Sequence, residues 1–153
     1  MTTASTRDGL IVCCAVSAGV HAALVPEHMR ESVVTGAGFV VATVALIAVM
    51  IGLTTWPDSR AVTGSGALVL LSLVVSYGVA STSGIPILHP DVDPVDTLGV
   101  MTKAVELLGV GLALQLRGPV RGRAIPVSLA GLIAVFSALV ALSLSGHHQM
   151  PGM

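Results

Sequence analysis

The chain has 153 residues, a formal net charge of −1, 54% hydrophobic and only 10% charged residues, and a mean hydropathy of +0.93. So apolar a composition argues against a soluble domain, and the near-neutral charge without a dense basic face argues against a nucleic-acid partner. Aromatic residues make up 3% of the chain, too few to line the ring-rich pocket that a haem or quinone often uses.

Apolar runs recur at Leu10–Val25, Val33–Trp56, Ala61–Ala80, Thr97–Leu116 and Ile125–Leu144, each near the roughly 17–25 residues needed to cross a bilayer. The runs are continuous rather than alternating, which predicts spanning helices and not the strands of a membrane barrel. The expected fold is therefore all-α: an integral membrane bundle of about five transmembrane helices. Residues 1–145 form a single transmembrane domain and residues 146–153 a flexible tail bearing His and Met.

The first run holds Cys13 and Cys14. Neighbours on a helix diverge by about 100°, so the pair is read as small apolar filler and not as a disulfide. Arg7, the run after it and Val20-His21-Ala22 also outline a secretory signal, but the run is long and its end polar, so it is read as a first span. Pro26 removes the hydrogen bond to the Ala22 carbonyl and predicts a kink, with Pro26-Glu27-His28-Met29-Arg30-Glu31-Ser32 as the connection to the second span. Trp56 marks an interface, and Pro57-Asp58-Ser59-Arg60 turns the chain into the third span, with Tyr77 near its far end. Ser81 to Asp96, with three prolines, joins the third and fourth spans. Arg117 to Arg123 joins the fourth and fifth, and His147, His148, Met150 and Met153 stand in the tail.

Arg7, Arg60, Arg117, Arg121 and Arg123 lie on one side of this arrangement and Arg30 on the other. The positive-inside rule then places the N-terminus inside and the C-terminus outside a multi-pass protein of the plasma membrane. The inner arginines are positioned to meet anionic headgroups. Small residues within the spans, Gly36, Gly64 and Gly109 among them, permit close helix packing and a homo-oligomer or a larger membrane complex. No internal repeat supports an inverted-repeat transporter.

With the first connection on the outside, all five histidines and six of the eight acidic residues gather at the outer edge. His21 and His28 are seven apart, close to two turns, and share a face if the helix continues past Pro26; Glu31 follows three residues later. Asp96, Lys103 and Glu106 share a face of the fourth span, with Lys103 and Glu106 paired at i, i+3. Charges within a span are costly, at about 2.5–3.5 kcal/mol on insertion scales. Lys103 is long enough to snorkel outward, whereas Glu106 lies deeper and is expected to face His21. Imidazole with carboxylate suits zinc, copper(II) or iron(II), and thioether favours copper(I). The candidate metal ligands are His21, His28, Glu31, His89, Glu106, His147, His148 and Met150, with Glu31 and Glu106 able either to ligate or to orient a histidine. A lone helix histidine is more often a hydrogen-bonded structural residue, and the acidic segment Asp91–Asp96 reads equally as a solvated loop; convergence on one face is what raises the metal reading.

His21-Ala-Ala-Leu-Val-Pro-Glu-His28 followed by Glu31, then Gly84-Ile-Pro, His89-Pro, Pro94-Val-Asp96 and Lys103-Ala-Val-Glu106, resembles uncharacterised small polytopic membrane proteins of high-GC bacteria over residues 10–116. The resemblance implies a fold and a polar site, not a reaction. A looser likeness links the chain to the His- and Met-bearing outer faces of bacterial copper-handling membrane proteins.

The leading expectation is a non-catalytic metal-handling membrane protein, with copper ahead of zinc and iron. The alternatives are a proton-coupled small transporter using Glu106, Lys103 and His21, and an accessory or assembly subunit of a membrane complex. No nucleophile stands beside a base, and neither a phosphate-cradling glycine loop nor HExxH is present, so the chain is read as non-enzymatic.

Overall fold

The structure, a computed structural model, describes residues 2–83 and 95–117. They form four helices: α1 (Thr3–Glu31), α2 (Val33–Thr55), α3 (Arg60–Ser83) and α4 (Thr97–Leu116). Each is long and apolar enough to cross a membrane, and no strand occurs among the described residues. The run Ile125–Leu144 and the tail 146–153 lie outside the described residues.

The first four expected spans reappear, with one large difference. The segment from Pro26 to Glu31, expected as a connection, is helical and completes α1, so the first two helices are joined by Ser32 alone. Pro26 is exposed, where its ring points away from the bundle, and the turn beyond it is tied to α2. There Met29 lies over Gly36, with its Cγ 2.5 Å from where a β-carbon of Gly36 would stand. His28 stacks on Phe39 at 4.2 Å. These contacts hold the last turn in place despite the missing N–H. Ser32 serves both helices: its N–H donates to the His28 carbonyl, and its hydroxyl accepts from the Thr35 N–H. Asp96 also has a local task, its carboxylate accepting from the Gly99 N–H at 2.8 Å as the cap of α4. That capping role accounts for an acidic residue that the sequence grouped with Lys103 and Glu106.

The helices are arranged in a ring, α1 packing on α2 and α4, and α3 on the same two. Successive helices run antiparallel. Along α3 and α4, Tyr77 meets Gly99 and Arg117 meets Gly64; along α1 and α4, Leu112 meets Gly9. The centre holds Leu10, Cys14, Leu46, Leu53, Leu70 and Ala113, all essentially inaccessible. The outward faces are apolar as well, with Val41, Ile51, Leu68 and Leu108 more than half exposed. Helices apolar on both faces suit a lipid surround rather than water. One end of the ring gathers the C-termini of α1 and α3 with the N-termini of α2 and α4; it is called here the histidine end. The opposite end carries Arg60 and Arg117 and is called the arginine end.

Candidate functional site

Three helices place polar side chains in the interior near the histidine end. On α4, Glu106 is fully buried and Lys103 almost so. The Lys103 ammonium donates to Glu106 Oε2 at 2.6 Å and to the Leu73 carbonyl of α3 at 3.4 Å. It also stands 5.6 Å above the Tyr77 ring, within the range of a cation–π contact. The i, i+3 pairing read from the sequence is present, but Lys103 does not snorkel to the surface. Its side chain turns inward, where a carboxylate, a carbonyl and an aromatic face replace water.

The second oxygen of Glu106 is met from α1 by Ser17, whose hydroxyl donates to Oε1 at 2.7 Å. Ser17 therefore stands where His21 was expected. His21, one turn later, directs Nδ1 to the Ser17 carbonyl at 2.9 Å, so histidine and glutamate are linked through Ser17. A serine inside an apolar run has no distinctive sequence signature. The available clue was its i, i+4 relation to His21, which puts both residues on one face. Removing that hydroxyl leaves one carboxylate oxygen unpartnered. Ser17→Ala is expected to destabilise the protein by about 1.5–3 kcal/mol, the range for a hydrogen bond to a charged group. Thermal unfolding in detergent measures it, and an unchanged midpoint would show that Glu106 does not depend on this donor.

Closer to the helix end, His28 directs Nδ1 to Glu31 Oε2 at 3.0 Å. The partners of both Nδ1 atoms, a carbonyl and a carboxylate, are acceptors. Each neutral ring therefore carries its proton on Nδ1 and leaves the Nε2 lone pair free of that bond. The seven-residue spacing does place the two histidines on one face of α1. Phe39, one of two phenylalanines in the chain, packs against both, at 5.3 Å from His21 and 4.2 Å from His28 between ring centroids. Through this ring α2 joins the site, so all four helices contribute to it.

The structure thus brings Lys103, Glu106, Ser17 and His21 into one connected network, and pairs His28 with Glu31 beside it. Among the described residues, no group of three or more His, Cys, Asp or Glu is close enough to hold a metal ion. His89, His147, His148 and Met150 lie outside the described residues. Comparison with protein-family models, with curated proteins and with solved structures gave no match to this chain.

Proposed function

We propose that this protein is a non-catalytic, multi-pass protein of the plasma membrane that binds a transition-metal ion, copper by preference, at its histidine end and takes part in metal handling. One observation carries the reading: His21 and His28 share a face of α1, and each commits Nδ1 to an acceptor on its own helix. That is how metal-ligating imidazoles are commonly held, with the second nitrogen bonded to a carbonyl or carboxylate and Nε2 presented to the ion. Glu31 then orients His28 instead of ligating, and Glu106 acts as part of the supporting network. Two turns, about 10.5 Å along the axis, separate the two histidines, so they do not form a closed chelate by themselves and further donors are required. His89, His147, His148 and Met150 are the proposed ones, and the thioether is what favours copper over zinc or iron. In this reading the histidine end faces outward, a fifth span follows residue 124, and the arginine end faces the cytoplasm.

The test is elemental analysis of the detergent-purified protein after incubation with copper, zinc or iron and desalting. One metal is expected near stoichiometric amount, lost in His21→Ala and in His28→Ala. Glu31→Gln is expected to weaken binding about 10–100-fold, the usual effect of removing an orienting partner. Unchanged stoichiometry and affinity in both histidine variants would reject the proposal.

A second reading, as an accessory or assembly subunit, is favoured by the closure of the Lys103–Glu106–Ser17 network on itself. Such a network fastens helices without needing a ligand. Co-purification with a larger membrane complex is its test. The proton-coupled carrier has weaker support, because the described interior between this network and the arginine end is lined by Leu10, Cys14, Leu70 and Ala113.

A further inference from the structure

At the arginine end, the start of α1, the α2–α3 turn, α3 and the end of α4 surround a notch of about 130 Å³, lined among others by Thr3, Asp58, Arg60, Thr63 and Arg117. It is too small for a drug-sized ligand, which takes about 300–1,000 Å³. Two arginines, Arg60 and Arg117, line it. Arg117 reaches from α4 across to α3, where its guanidinium lies over Gly64; a β-carbon at that position would stand 3.1 Å from Cζ. Arg60 precedes Gly64 by four residues and so lies on the same face of α3, one turn away. The glycine therefore gives Arg117 a seat beside Arg60.

Two cations brought together in this way call for an anion, and the chain supplies too little. Among the described residues neither arginine forms an ion pair; the ion pairs there are His28–Glu31 and Lys103–Glu106. Asp58 lines the notch but is exposed at the turn, leaving two positive charges to one negative. Residues 118–153 add Arg121 and Arg123 and no Asp or Glu, so no side chain from that part of the sequence makes up the difference. The notch lies at the helix ends, the level at which spanning helices meet the headgroups. Guanidinium groups match phosphate oxygens in a planar, two-pronged fashion, and basic pockets between spanning helices are a recurrent way of holding acidic headgroups.

We propose that this notch binds the headgroup phosphate of an acidic phospholipid, clamped between Arg60 and Arg117. The site is separate from the metal reading and stands or falls without it. The test is native mass spectrometry of the full-length protein in neutral detergent, titrated with phosphatidylglycerol or phosphatidylcholine. The wild type is expected to retain one phosphatidylglycerol in clear preference to phosphatidylcholine. Arg60→Gln and Arg117→Gln are each expected to weaken that binding about five-fold, and the double variant to lose the preference. Both side chains are exposed, so the variants keep the fold, which circular dichroism checks. Arg7→Gln, at the same end but outside the notch lining, is expected to bind as the wild type does. Equal weakening by Arg7→Gln would replace the site with diffuse attraction. Absence of a phosphatidylglycerol preference would overturn the proposal; inorganic phosphate bound in its place would assign the notch to the free ion.

Discussion

Replacing Glu106 with alanine is expected to destabilise the protein by about 3–5 kcal/mol, the range for breaking a buried ion pair from one side. The carboxylate is fully buried and serves two donors on different helices. Its loss leaves the Lys103 ammonium, 7% exposed, with the Leu73 carbonyl as its remaining hydrogen-bond acceptor, and leaves the Ser17 hydroxyl with only its longer 3.4 Å contact to His21 Nδ1. The effect comes from the charge left behind and not from the pair's own attraction. Removing both charges in Lys103→Met/Glu106→Leu is therefore expected to recover most of the stability, because the volumes are similar and nothing charged remains buried. Thermal unfolding in detergent, followed by circular dichroism, distinguishes the two. Equal losses in the single and double variants would mean that the network contributes by packing alone.

Gly109→Val is expected to destabilise by about 1–3 kcal/mol or somewhat more, as overpacking in a filled interior does. A β-carbon at Gly109 would stand 2.6 Å from Leu70 Cδ1 and 3.1 Å from Cys13 Cβ. Leu70 is fully buried, so its side chain has little room to swing away, and Cys13 Cβ is fixed to the α1 backbone. The substitution therefore pushes α4 from α1 and α3 together. Adding Leu70→Ala removes the nearer obstacle, so the double variant is expected to lose less than the sum of the two single losses. Strict additivity of the two would show that Gly109 is not the point of close approach.

The sequence reading succeeded where hydrophobicity alone decides. Thr97–Leu116 is legible with the bounds that α4 has, because a continuous apolar run of bilayer-spanning length sets them. Pro26 to Ser32 misled for the opposite reason: proline and four charged or titratable side chains imitate a loop, while the contacts that keep the segment helical come from Gly36 and Phe39 on another helix. Within the site, spacing identified the pairing of Lys103 with Glu106 and the common face of His21 and His28. The direction of the lysine was not legible, since it depends on a carbonyl and a ring contributed by α3. Ser17 was missed because a hydroxyl in a spanning helix ordinarily satisfies itself on its own backbone, as Thr43 does with the Phe39 carbonyl. Only tertiary structure shows that this serine reaches across to α4.

Ser32 ends α1 and begins α2 within a single residue. Two antiparallel rods joined so tightly cannot part at that end without melting a turn of one of them, so they act as one lever. Any shift of α1 along α4 carries α2 with it, and the surfaces that slide are those facing α3 and α4. A displacement of His21 or His28 on α1 is therefore passed to α2 as well. The far ends of the two rods are Thr3 and the turn beside Trp56, both at the arginine end, and the chain's one tryptophan stands there as a fluorescent reporter of any such shift.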